Sequence, residues 1–256
     1  MADMNAPPSL TRLTFHGPLS EARAARLIER LVRHGPATVL DIGCGWAELM
    51  LRILAAAPAA TGLGIDMDET DLARAQASAE ARGLAGRVEF VRESAIGTTR
   101  GPADLVLCTG ASQALSDATP PEHTTQALAA LRRLVTPGGR VLLGEGFWER
   151  PPTPAELGAM WPDTSADEQT DLAGLVDRAV TAGFRPEWIE TASLDEWDEF
   201  ESGYAADVQE WLATHDDPKV RADTDAHTSY WLRGYRGVLG LAYLTLVPDQ
   251  AGGSAP

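Results

Sequence analysis

Along the first part of the chain, short apolar runs rich in β-formers alternate with stretches whose apolar positions recur every three or four residues. Ser20 reads as the N-cap of a first helix, with Ala24, Leu27, Ile28 and Leu31 on one face. The run 38–42 (TVLDI) reads as a strand that ends in Gly43-Cys44-Gly45, and Leu49, Leu51, Ile53 and Leu54 then follow helical spacing as far as Pro58. Further strands are expected at 62–66, 88–91, 104–108 and 140–144. Between them lie helices from about 69 to 82 and from Thr119-Pro120-Pro121-Glu122 to about 134. Strands alternating with helices predict a parallel sheet covered on both faces, with ligands beyond the carboxyl ends of the strands.

The pattern changes after residue 145. Ser165-x-x-Glu168 is read as the cap of a helix carrying Leu172, Leu175, Val176 and Val180, followed by a strand near 185–191. Ser193-x-x-Glu196 opens another helix, with Trp197, Phe200, Tyr204, Val208 and Trp211 spaced by three or four. A further helix is expected over 227–240 and a last strand over 241–247. The expected organisation is a loose segment 1–19, an α/β domain made of 20–192 and 241–248, a helical lid 193–240 between them, and a disordered tail 249–256.

Charge narrows the choice of partner. The 256 residues carry a net charge of −16, and Lys219 is the only lysine. No basic stripe is present, which argues against nucleic acid and against an anionic membrane surface. Two cysteines do not make a disulfide framework, no basic and apolar leader is visible, and no apolar run approaches a membrane span. These features point to a cytoplasmic protein, and a monomer or homodimer is expected.

The glycine turn carries the chemistry. A dinucleotide site needs a third glycine where this chain has Glu48, and a carboxylate at that helix N-terminus opposes a pyrophosphate. A phosphate-free ligand fits better: Gly43 and Gly45 let the backbone approach a flat group, Asp41 can hold an ammonium, and Asp66 can accept two ribose hydroxyls. Residues 39–45 (VLDIGCG) resemble the first motif of class I S-adenosylmethionine-dependent methyltransferases. Residues 64–68 (GIDMD) and 134–141 (LVTPGGRV) resemble two later motifs. The resemblance spans roughly 20–148. It implies a Rossmann-like, mostly parallel seven-stranded sheet, S-adenosylmethionine as cofactor and S-adenosylhomocysteine as product. It also implies that Gly43, Cys44 and Gly45 pack against the cofactor, that Asp41 supports its methionine end, and that Asp66 takes the ribose. Met67 then lies on the adenine, with Ser94, Ala95 and Thr109 nearby. Ser94 departs from the acidic residue common there, and Ala47 from the usual glycine.

The acceptor side is read more openly. Glu145, after the fifth strand, and His16, before the first helix, are the candidate catalytic groups. No set of carboxylates gathers at the end of the fourth strand, so no metal is expected. Trp148, Trp197, Tyr204, Tyr230 and Trp231 are candidate substrate contacts on or beside the lid, and the acidic stretch 195–217 would suit an amine if its carboxylates point inward. The expected reaction is methyl transfer to a nitrogen or oxygen of a small-molecule metabolite. Methylation of a peptide or protein, and binding of the cofactor without turnover, are the alternatives.

Overall fold

The computed structural model describes residue 7 and residues 10–249. Seven strands form one sheet in the order β3-β2-β1-β4-β5-β7-β6. They are β1 (Thr38–Ile42), β2 (Thr61–Asp66), β3 (Val88–Arg92), β4 (Ala103–Thr109), β5 (Val135–Trp148), β6 (Phe184–Thr191) and β7 (Leu239–Pro248). All pairings are parallel except those of β7, which runs antiparallel between β5 and β6. The chain steps outward from β1 through β2 to β3 and then returns to β4 on the other side of β1. This leaves a switch point at the carboxyl ends of β1 and β4, where ligands enter such sheets.

Alternation along the strands divides the core. Leu40, Ile42, Val106, Cys108, Val141 and Leu143 face one side, under α4 (Glu122–Leu134) and α6 (Leu172–Thr181). Val39, Leu105, Leu107 and Leu142 face the other. There they pack under α1 (Glu21–Val32), α2 (Glu48–Ala56) and α3 (Glu69–Ala81). Cys108 and Cys44 thus belong to opposite layers.

Two helix starts differ from expectation. Ser165 to Glu168 makes only a short 3₁₀ turn, and α6 begins at Leu172 with Asp171 as its cap, accepting from Gly174 N at 2.8 Å. The chain after the predicted Trp211 helix holds α8 (Pro218–Ser229), capped by Asp217, and a π-helical turn Tyr230–Tyr235 in place of one helix over 227–240. The capping box of Ser193 and Glu196 does open α7 (Leu194–Leu212). No helix among the described residues is long and apolar enough to cross a membrane.

Residues 10–19 differ most from the loose segment expected. They run as a strap tied to α7 and α3. Buried Asp207 accepts the Thr11 N–H at 2.6 Å, the Thr11 hydroxyl at 2.7 Å and Arg12 Nε at 3.1 Å. Arg74 donates to the carbonyls of Leu10 and Leu13 at 3.1 Å, and Trp46 Nε1 donates to Thr14 O at 2.8 Å. A carboxylate that gathers three donors from one short segment fixes that segment against its helix. Of the expected tail, Asp249 is held by its N–H on Gly183 O at 2.8 Å, and residues 250–256 lie outside the described residues.

Candidate active site

The turn after β1 is built from left-handed residues. Gly43, Gly45 and Ala47 have φ of 62°, 50° and 55°. For Ala47 that conformation costs about 1 kcal/mol, which is the physical meaning of its departure from glycine. Gly43 is required on two counts, because a Cβ there would also stand 2.4 Å from the Cβ of Ala111 in the loop after β4. Gly43→Ala is expected to lower stability by about 3 kcal/mol, or roughly 10 °C in Tm, from the left-handed backbone and the overlap together. Adding Ala111→Gly should recover the overlap part alone. Calorimetric melting curves check both, and an unchanged Tm for the single variant would contradict this account of the turn.

Beyond the turn lies a cavity of about 450 Å³ at the carboxyl ends of β1, β2 and β4. Gly43, Cys44, Gly45, Asp66, Met67 and Thr109 line it, as do Ser94, Ala95 and His16. All but one of the residues expected to meet the cofactor therefore come together. The exception is Asp41, which is buried beneath the turn and does not line the cavity. Its carboxyl is pushed up to about 8, by loss of hydration and then by the neighbouring charge of Asp66. Asp66 holds the turn in place, accepting the Gly45 N–H at 2.7 Å and the Asp68 N–H at 2.9 Å. The Cys44 side chain closes against Gly64, where a Cβ would stand 2.8 Å from Sγ, and burial raises its thiol.

Several cavity residues escaped sequence reasoning. Asp68, Asp71 and Glu93 add carboxylates to Asp66, and no lysine or arginine lines the cavity. Asp71 sits in the first turn of α3; burial raises its carboxyl, the Asp68 charge raises it further, and His16 opposes both. Ile96, exposed beside Met67, gives the mouth a pair of apolar walls. An isolated isoleucine in the polar stretch 93–98 was the available signal. The acidic lining suits a cation and repels a phosphate.

The remaining predictions separate cleanly. His16 belongs to the strap, stacks on Trp46 with ring centroids 4.8 Å apart, and overhangs the turn. A Cβ on Gly45 would lie 3.5 Å from its Nδ1. Glu145 does not enter the cavity. It shares the parity of Leu143 and Phe147 and is buried on the α4 and α6 side. Its Oε1 accepts the Gly146 N–H at 3.2 Å, and burial raises its carboxyl against the opposing pull of Ser112 and the Gly146 N–H. Glu145 thus lines neither the cofactor cavity nor the recess beside it.

The aromatic substrate contacts also fail to converge on the cavity. Trp148 is buried with Met160, Tyr235 and Val238, and its Nε1 donates to Ala166 O at 2.8 Å. Trp197, Tyr230 and Trp231 pack on the same cluster. Tyr204 stacks on His227 at 4.5 Å. These rings are the core of the insertion, because helices α7 and α8 need an apolar surface of their own to bury. The inward carboxylates of this segment are engaged as well. Glu196 binds Ser20 and Arg23, Glu201 accepts from His227 and Tyr235, and Asp207 holds the strap.

The Rossmann-like sheet carries an acidic cavity over a left-handed glycine turn, a lining that suits a cationic ligand rather than a phosphate. Comparison with known proteins agrees. Residues 39–139 match a family model described as a methyltransferase domain. The Escherichia coli protein YjhP, itself described as uncharacterised, is 30% identical over 214 residues, 83% of each chain. Its X-ray structure superposes with a TM-score of 0.80 at 26% identity, covering 92% of this chain and 95% of that one. An S-adenosylmethionine-dependent methyltransferase from Geobacter sulfurreducens, solved with S-adenosylhomocysteine, gives a TM-score of 0.81 at 25% identity. That match covers 96% of this chain and all of the other. The chain belongs to the class I S-adenosylmethionine-dependent methyltransferases. It is an enzyme of that class, and S-adenosylmethionine is its cofactor.

Proposed function

We propose that this enzyme methylates a small molecule in the cytoplasm, and that its acceptor binds in a recess beside the cofactor cavity. The observation that carries this reading is a second cavity, of about 200 Å³, that adjoins the cofactor cavity at His16, Thr109 and Gly110 and is roofed by the strap. Its apolar lining suits a compact ring better than a peptide backbone, whose amides would find few partners there. The acidic surface supports the absence of a nucleic-acid partner, and the two unpaired thiols support the cytoplasmic setting.

The residues present fit the cofactor. Gly43 and Gly45 would let the backbone lie against it, Asp66 would take the ribose hydroxyls, and Met67 and Ile96 would flank the adenine beside Ser94 and Ala95. Asp41 would act on the ammonium from beneath the turn. S-adenosylmethionine supplies an electrophilic methyl group on a sulfonium. The protein supplies alignment and exclusion of water, the larger share of the rate in such displacements. His16, at the junction of the two cavities, is the candidate base, and Glu145 is withdrawn. In this reading the insertion serves as a lid through α7, which reaches the recess with Phe200.

Titration of the purified protein with S-adenosylmethionine, S-adenosylhomocysteine and NADH tests the binding half of this reading. Micromolar affinity for the first two and none for NADH is expected. Binding of NADH alone would remove it.

A further inference from the structure

The recess next to the cofactor cavity has its own chemistry. Its walls are Phe15 and Leu19 of the strap, Leu49 of α2, Phe200 of α7, and Leu241 and Tyr243 of β7. No aspartate, glutamate, lysine or arginine lines it. The Tyr243 hydroxyl is spent, donating to Pro18 O at 3.2 Å. The side-chain polar groups left to meet a ligand are the His16 imidazole and the Thr109 hydroxyl, and both stand where the recess meets the cofactor cavity. Glu21, Glu196 and Glu199 line a neighbouring cleft, and Asp66, Asp68 and Asp71 line the cofactor cavity rather than the recess.

We infer that the acceptor is an uncharged, weakly acidic hydroxyl or thiol compound with an apolar body about one aromatic ring in size, oriented with its X–H group toward His16. The inference rests on the methyltransferase reading and specifies its acceptor. Size comes from the volume: an apolar cavity of about 150 Å³ holds benzene, so about 200 Å³ holds one ring with a substituent. Charge comes from the lining, because an ammonium or carboxylate would lose its hydration here without gaining a partner. Three aromatic side chains, Phe15, Phe200 and Tyr243, favour a flat ring through face and edge contacts. Orientation follows from the polar groups, since a lone hydroxyl or thiol is satisfied only at the end bearing His16 and Thr109.

The step balances with groups already named. The acceptor proton passes to the His16 imidazole as the acceptor oxygen or sulfur forms its bond to the methyl carbon. The carbon–sulfur bond of the donor breaks, and its electron pair stays on sulfur. The products are a methyl ether or thioether and S-adenosylhomocysteine. The proton on His16 then leaves to solvent past Asp71, whose carboxylate opposes the charge of the imidazolium.

The test uses the full chain saturated with S-adenosylhomocysteine, with calorimetric binding of size-matched probes: phenol, thiophenol, benzylamine and benzoate, and the two-ring 2-naphthol. Phenol and thiophenol should bind at least tenfold more tightly than benzylamine or benzoate, and more tightly than 2-naphthol. Leu241→Trp, which fills the recess, should abolish phenol binding and keep S-adenosylhomocysteine binding. Phe200→Ala, which enlarges it, should shift the preference toward 2-naphthol about tenfold. With labelled S-adenosylmethionine, His16→Gln should slow transfer to phenol by about 100-fold. Its affinities for phenol and S-adenosylhomocysteine should stay within a few fold. Preferential binding of benzylamine or benzoate, or phenol binding unaffected by both recess variants, overturns the inference while the cofactor reading stands. Failure of S-adenosylhomocysteine to bind the unaltered protein overturns both.

Discussion

Asp66→Ala is expected to weaken binding of S-adenosylmethionine and S-adenosylhomocysteine by at least about 100-fold. Asp66 ends β2, and its two oxygens already hold the Gly45 and Asp68 N–H groups at 2.7 and 2.9 Å. A carboxylate has lone pairs to spare, so the same group can receive both ribose hydroxyls while keeping the turn in register. Each hydrogen bond to a charged acceptor contributes about 1.5–3 kcal/mol, and two are lost together. At about 1.4 kcal/mol per tenfold, the sum is at least two decades of affinity. The turn suffers as well, since two backbone donors lose their acceptor. Calorimetric titration checks the first effect. Asp66→Asn, which keeps one acceptor oxygen, should fall between the two. Equal affinities in wild type and Asp66→Ala would place the ribose elsewhere.

Replacing Asp41 by asparagine is expected to change how stability depends on pH. Its folded carboxyl stands at about 8, against about 3.9 in an unfolded chain. Between those values the folded protein holds a proton that the unfolded chain has released. The stabilisation this provides is full below pH ~4 and is lost as pH rises toward 8, a total on the order of 5 kcal/mol. Asparagine mimics the protonated acid in shape and does not titrate. The stability of Asp41→Asn relative to wild type should therefore rise by up to about 1.4 kcal/mol per pH unit across this window. Denaturant unfolding at pH 5, 6.5 and 8 measures it, and parallel curves for the two proteins would refute the shift. A second readout follows from the ligand. An ammonium bound above the turn favours the ionised carboxylate, so wild type should release close to one proton on binding S-adenosylhomocysteine at pH 7. Asp41→Asn should release none. Calorimetry in buffers of differing ionisation heat separates the two cases.

Much of the cofactor site was legible because its signals are local. Gly43 and Gly45 announce left-handed backbone, Asp66 announces the end of a strand, and Asp68 caps the next helix with its own side chain. Ile96 and Asp71 were within reach of the same reasoning but were passed over. Helix α8 was not, since its sequence PKVRADTDAHTS shows no apolar stripe and it is held by its Asp217 cap and its packing on α7.

The acceptor side was decided by tertiary structure. Glu145 lies one residue after a predicted strand, but β5 continues to Trp148, and the alternation of an extended strand turns Glu145 into the α4 and α6 layer. The aromatic residues of the insertion have helical spacing whether they line a pocket or bury one another; only the packing of α7 and α8 shows that they do the latter. The strap reads as loose because its sequence lacks periodicity, and its order comes from Asp207 and Arg74, nearly 200 and about 60 residues away. The sequence by itself determined the sheet, the glycine turn and the cofactor it serves. The recess proposed for the acceptor exists only where the strap, α2, α7 and β7 meet, because a cavity belongs to the contact between distant segments and leaves no pattern within any one of them.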